Sequence, residues 1–207
     1  MLATLKAIGG ILNTENAPIK WYHYEDDNIP NSILYLLSIE KNKQNEYDKL
    51  TDEEKESYVS DSAKIYIPLI NVDKLYDLYH KGVSCDYSET IKRIQKKVTV
   101  TPENEKVLFA VFLILHEFGH WHDFVEKEKK PFFYNLLDEN EYREAYELKK
   151  SIIEKLKGSS MSSYDDITLL KRYFNQYNSI PREKRANEYA DEKLVEAYKI
   201  IKEKGLI

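Results

Sequence analysis

The sequence predicts an α+β fold, in which a small N-terminal sheet packs on a central helix and the C-terminal half is helical. Three observations lead to this prediction. Short runs rich in β-branched and aromatic residues lie in the first half of the chain. Residues 107–115 are hydrophobic on nearly all sides of a helix, as in a buried central helix. Helical patterns dominate from residue 101 onward.

The length and composition favour one domain over residues 1–207. The chain is 42% hydrophobic and 32% charged, and a domain of this length buries roughly 70% of its unfolded surface. We divide it into a mixed α/β part (1–100), the central helix (101–130), a helical insertion (131–180) and a last helix (181–207).

Strand and helix signals alternate in the first part. Residues 19–24 and 63–68 have the pattern of half-buried strands, and residues 96–100 are a further candidate strand. Thr51, followed by Glu54, has the signature of a helix N-terminus, and Asn71 is a candidate cap for a second short helix that runs to residue 82.

The second half begins with a strong helix start signal. Thr101 is the expected N-cap, with Pro102 at the first helical position, and nothing breaks the pattern before Pro131. Further helices are expected over residues 138–157, 164–177 and from 181 to the C-terminus, with a loop at 158–163.

Charge and cysteine content argue against several classes of protein. The formal net charge of -5 provides no basic surface for nucleic acid as the main partner. The single cysteine, Cys85, allows no internal disulfide and has no motif of a catalytic nucleophile around it. The N-terminus lacks the features of a secretory signal, and the longest apolar run is about half the ~18 residues of a membrane span. We therefore expect a cytoplasmic protein without a membrane partner.

The strongest chemical signal is a His-Glu-x-x-His motif in the predicted central helix, His116-Glu117-Phe118-Gly119-His120. Residues four apart on an α-helix project from one face about 6 Å apart, which suits two imidazoles that bind one ion. Glu117 lies beside them and can take a proton from a water that zinc acidifies. We predict a Zn²⁺ site with His116 and His120 as ligands and Glu117 as the catalytic residue. A chance motif is the alternative, but it would arise on the order of once in a hundred sequences with so few histidines.

The neighbours of the motif have different expected roles. Gly119 leaves space beside the site, where a bulky residue would crowd a neighbouring strand or loop. His122 lies about 200° around the helix from His120, so it cannot reach the same ion. Asp123 shares the face of the ligands; we expect it to orient an imidazole or to remain solvated, with oxygen ligation as the alternative.

A catalytic zinc needs a third protein ligand from elsewhere in the chain. His23 and His80 stand alone in the sequence. In the last predicted helix, Glu183 and Asn187 share one face with small alanines that permit close approach to the central helix. Glu183 would supply a carboxylate oxygen, and the Asn187 carbonyl could accept a hydrogen bond from a ligating histidine. The alternative is an amphipathic helix that has Glu183 merely as an acid of its first turn.

The motif at 116–120 and the later run Glu183-Lys184-Arg185-Ala186-Asn187-Glu188-Tyr189-Ala190 resemble the pattern of ImmA/IrrE-like metallopeptidases, a gluzincin group found in bacteria, phages and mobile elements. The resemblance covers about half the chain. It implies a zincin-like metallopeptidase domain with His116, His120 and Glu183 as zinc ligands and Glu117 as the base. The motifs are farther apart than the family pattern leads one to expect. This predicts an inserted helical pair over 131–180 that could cover the cleft and select the substrate.

The expected function is that of a zinc-dependent endopeptidase acting on a cytoplasmic protein. The resemblance implies a transcriptional repressor or other regulator as that substrate. The alternative is a zinc-stabilised binding protein, of the antirepressor or inhibitor type, that sequesters its partner without turnover. An aminopeptidase would need an acidic residue for the substrate amine, and none can be placed. The oxyanion donor stays open among the 17 tyrosines.

Overall fold

The computed structural model describes residues 3–14, 16–23, 34–37, 44–59, 63–81, 85–127, 130–156 and 164–207. This part of the chain is mixed α+β and mostly helical. Its elements, in chain order, are α1 (Leu5–Leu12), β1 (Ile19–Tyr22), β2 (Leu34–Leu37), α2 (Gln44–Tyr47), α3 (Asp52–Val59), β3 (Ala63–Pro68), α4 (Val72–Lys81), α5 (Cys85–Gln95), α6 (Glu105–Lys127), α7 (Pro131–Leu136), α8 (Glu139–Leu156), α9 (Tyr164–Ser179) and α10 (Pro181–Glu203).

The sheet has three strands in the order β1-β3-β2. β3 is parallel to β1, with Ile65 opposite Ile19, and antiparallel to β2. Ile65 and Ile67 of β3 are fully buried and belong to the same hydrophobic core as α6. The strands predicted at 19–24 and 63–68 are therefore confirmed, whereas β2 was not predicted.

The predicted strand at residues 96–100 is wrong. The Lys97 and Val98 amides donate to the carbonyl of Ile94, so the chain stays in the turn that ends α5. Val98 and Val100 pack against the main core from this turn. Their apolar character reflects burial, and the sheet pairing that the pattern suggested does not form.

Two predicted helix caps are confirmed. The Thr51 hydroxyl accepts from the Glu54 amide, and the Glu54 carboxylate accepts from the Thr51 amide at 2.8 Å. This reciprocal pair starts α3 as a capping box does. At α4, the Asn71 side chain accepts from the Lys74 amide at 2.8 Å.

The central helix α6 begins one turn later than predicted. The Thr101 carbonyl accepts the amides of Asn104 and Glu105, so residues 101–104 form a turn that leads into the helix. The Asn104 side chain accepts the Thr101 amide within that turn. The apolar run at 107–115 is almost wholly buried, as predicted for a core helix.

The stretch 131–180 contains the two predicted helices, as α8 and α9, and the additional short helix α7. α8 and α9 share a second apolar cluster that includes Ala145, Tyr173 and Phe174. α7 is fixed to α3, because the Glu56 carboxylate accepts the amides of Phe132 and Phe133. The loop expected at 158–163 lies outside the described residues. Among the described residues, no helix combines the length and apolarity that crossing a membrane requires.

Candidate metal centre

The centre forms where α6 and α10 touch. A Cβ atom at Gly119 would lie 2.8 Å from both the Cα and the carbonyl oxygen of Ala186. Ala186 and Ala190 are fully buried in this contact, as small residues at a close helix crossing must be. The neighbour of Gly119 is thus α10, which corrects the expected strand or loop. This proximity brings the first turn of α10 to the histidines of α6.

The contact unites the three predicted ligands. His116 Nε2 lies 3.1 Å from Glu183 Oε2, and His120 Nε2 lies 3.4 Å from Glu183 Oε1. The ligand atoms of the three residues all lie within 4.8 Å of one another. The Glu183 side chain is deeply buried, at 3% exposure. Of the described residues, only this group could hold a metal ion by that criterion.

The charges of the group are strongly coupled. Burial opposes charge on His116, but the adjacent carboxylate of Glu183 raises the pKa of His116 to about 9. Burial would raise the pKa of Glu183, but the two histidines hold it well below its usual value. Without metal, both shifts favour a charged His116 imidazole beside a charged Glu183 carboxylate. A cation that binds there has to displace a proton.

Asn187 lies where the sequence placed it. Its Oδ1 atom is 3.1 Å from His116 Nδ1. A carbonyl oxygen can only accept, so His116 Nδ1 carries a proton, and Nε2, which is directed toward Glu183, is the nitrogen that would bind an ion. The Asn187 amide in turn donates to the Asn178 side chain at 3.2 Å.

Asp123 supports the contact between α6 and α10. Its carboxylate accepts two hydrogen bonds from Arg185 of α10, at 2.7 and 3.0 Å, and one from the Tyr134 hydroxyl at 2.9 Å. Asp123 is not a member of the metal-binding group. It links α6, α7 and α10 instead.

The other histidines have separate environments. His122 packs its ring on Tyr189 and pairs with Glu126 at 3.2 Å, away from the group, in agreement with the helical spacing. His23 is exposed. The side chains of His80 and Cys85 lie outside the described residues.

Sequence reasoning missed Tyr142 and Arg182. The Tyr142 hydroxyl donates to Glu183 Oε1 and accepts from Arg182 Nε. Arg182 places its guanidinium over the Tyr142 ring, 4.7 Å from the centroid, and donates to the Tyr134 carbonyl. α8 and the first turn of α10 are far apart in the sequence and meet only in the folded protein. The spacing of residues within either helix therefore does not predict these contacts.

A cleft of about 550 Å³ opens on the centre. His116, Glu117, Tyr142 and Tyr177 are among its lining residues. Burial and the charge of Glu183 raise the pKa of Tyr177 well above its usual value. The cleft thus presents the His116 imidazole, the Glu117 carboxylate and protonated phenols to any bound molecule.

No family model, curated protein or solved structure matches the chain. Inferences about its function therefore depend on the side chains and their geometry alone.

Proposed function

We propose that this protein is a zinc-dependent endopeptidase that hydrolyses peptide bonds of a protein substrate. The observation that carries the proposal is the convergence of two imidazole nitrogens and a buried carboxylate beside a cleft that Glu117 lines. Two nitrogens and one oxygen are the donor set of many catalytic zinc sites, which keep one position for water or substrate.

The distances within the group fit the ion. Ligand atoms bound tetrahedrally at about 2.1 Å lie about 3.4 Å apart. The histidine-to-glutamate separations, to Oε2 from His116 and to Oε1 from His120, are 3.1 and 3.4 Å. Glu183 Oε2 makes no well-directed hydrogen bond among the described residues despite its burial, and a bound cation would satisfy it.

The residues around the candidate metal centre have different tasks in the proposed reaction. When bound, zinc supplies a Lewis acid that polarises a carbonyl and lowers the pKa of water to about 7. Glu117 takes the proton of the attacking water and delivers it to the leaving amine. Asn187 and Tyr142 fix the orientations of His116 and Glu183.

The proposal extends to a zincin-like fold of the ImmA/IrrE type, with a transcriptional repressor or other regulator as substrate. Its support is the sequence pattern at 116–120 and 183–190, together with the contact between the helices that carry both segments. α7, α8 and α9 lie between those two segments in the chain.

The test is cleavage of a mixed peptide library by the zinc-loaded protein and by Glu117→Gln. The matched control is Glu126→Gln, an exposed acid of the same helix that pairs with His122. We expect cleavage by the wild type and the control, and a loss of at least a hundredfold in Glu117→Gln, since general-base catalysis contributes about 10²–10⁴-fold. No cleavage by the wild type, or equal cleavage by Glu117→Gln, would overturn the proposal. The first result would favour the binding-protein alternative.

A further inference from the structure

The cleft beside the candidate metal centre has a largely aromatic and apolar wall. The wall is formed by Phe109, Phe112 and Leu113 of α6 and by Tyr173 and Tyr177 of α9. Phe109 and Phe112 are nearly inaccessible, so they form a fixed floor. A volume of about 550 Å³ falls in the range of sites that bind small molecules and peptide side chains.

One face of α8 forms another side of this cleft. Tyr142, Ala145, Tyr146 and Lys149 all line it. Their spacing of three, one and three residues is that of a single helical face. With a rise of 1.5 Å per residue, Lys149 lies about 10 Å along α8 from Tyr142, which contacts the candidate ligand Glu183.

Lys149 is the only lysine or arginine among the described residues that line the cleft. Its Nζ lies 5.7 Å from the centroid of the Tyr173 ring. Within the part of the chain that the structure describes, Lys149 forms no ion pair, unlike the nearby Arg143, which pairs with Glu139. The cleft thus has one lysine, about two helical turns along α8 from the tyrosine that contacts Glu183.

We infer that the cleft selects a peptide segment with a large apolar or aromatic side chain next to the scissile bond and a carboxylate about three residues away. An extended peptide advances about 3.3 Å per residue, so three residues match the roughly 10 Å along α8 between Tyr142, which contacts Glu183, and Lys149. The aromatic wall removes the apolar side chain from water, and Lys149 pairs with the carboxylate. This inference rests on the proposed function and names its substrate class.

The test uses short fluorogenic peptides that differ at two places. One series varies the residue next to the scissile bond among Phe, Leu, Ala and Lys. The other places Glu, Gln or Lys three residues away, on either side, with an amidated C-terminus. A further peptide has no internal acid but a free C-terminal carboxylate, so a preference for a terminal carboxylate is separated from one for an acidic side chain.

We expect kcat/KM to be about tenfold or more higher with Phe or Leu than with Ala next to the scissile bond. We expect about a two- to fivefold preference for a carboxylate over Gln, the range of a solvent-exposed ion pair. Lys149→Glu should reverse this preference toward Lys peptides. Lys150→Glu, which changes a neighbouring exposed lysine that does not line the cleft, should leave it intact.

Cleavage without side-chain preference would overturn the inference and leave the proposed function standing. An unchanged charge preference in Lys149→Glu would do the same. If the wild type cuts none of the peptides, binding is measured by fluorescence anisotropy with the zinc-loaded Glu117→Gln variant. Selective binding of acidic, aromatic peptides that Lys149→Glu abolishes then supports the inference although the proposed peptidase activity has failed, and unselective binding contradicts it.

Discussion

The Tyr142 hydroxyl donates a hydrogen bond to Glu183 Oε1, so α8 directly contacts the carboxylate of the candidate centre. Arg182, the residue before Glu183, donates to the same hydroxyl at 3.2 Å. Burial and the nearby Glu183 charge raise the pKa of Tyr142, so the phenol keeps its proton and remains a donor. The segment 131–180 therefore contributes to the order of the centre as well as to the cleft.

Tyr142→Phe should raise the dissociation constant for zinc about 10–100-fold, the usual effect of removing a group that orients a metal ligand. Competition with a chromophoric chelator measures it. Tyr146→Phe is the control, because Tyr146 lies one turn along α8 at 65% exposure and lines the same cleft. Equal affinities of the two variants would show that the Tyr142 hydroxyl does not position Glu183.

Gly119→Ala should destabilise the protein by about 1–3 kcal/mol, because the added Cβ meets backbone atoms of Ala186 at 2.8 Å. Zinc affinity should fall as well, since α10 carries Glu183. Chemical denaturation measures the stability. Gly10→Ala is the control: that position is also helical, but an added Cβ meets nothing within 4 Å, so a gain of up to about 1 kcal/mol is expected. Similar effects at both glycines would contradict the close contact of α6 and α10.

Tyr177→Phe should lower kcat of the zinc-loaded enzyme about tenfold or more with little change in KM. Tyr177 lines the cleft, and its phenol is close enough to Glu117 and Glu183 for their charges to raise its pKa. A protonated phenol there can donate to the oxyanion that develops in the transition state. Steady-state kinetics with one peptide tests this role. A change confined to KM would assign Tyr177 to substrate binding instead.

The stability of the metal-free protein should depend on pH through the buried pair. The pKa of His116 is raised from 6.5 to about 9, so its contribution is fully present below pH 6.5 and is lost as the pH rises through 9. The pKa of Glu183 is lowered, so its contribution is present above pH 4.5 and is lost as the pH falls further. The Tm should decline between pH 6.5 and 9. In Glu183→Gln this decline should largely disappear; an unchanged decline would contradict the pairing.

Zinc affinity should show the opposite dependence over the same pH range. The proton on His116 competes with the ion, so affinity should rise toward pH 9. Calorimetry in buffers of different ionisation enthalpy measures the protons released. Binding without proton release at pH 7 would show that the histidine is neutral before metal binds.

The sequence predicted the features that depend on local spacing. The burial of α6 and the shared face of Glu183 and Asn187 both follow from helical periodicity. Helical periodicity does not predict contacts between elements that are distant in the sequence. Tyr142 reaches Glu183 only because α8 packs beside α10, and Asp123 pairs with Arg185 because the two helices cross. The strand prediction at 96–100 was wrong because Val98 and Val100 are typical of strands but are packed against the core from a turn.

The zinc content of purified protein, measured by elemental analysis, tests the central claim most directly. The wild type and Glu188→Ala, which changes an exposed acid of the same helix that pairs with Lys184, should each hold one zinc per chain. Glu183→Ala should lose most of its zinc while it keeps the helical content of the wild type. Equal zinc in Glu183→Ala and the wild type, or none in the wild type, would contradict a metal centre built from His116, His120 and Glu183.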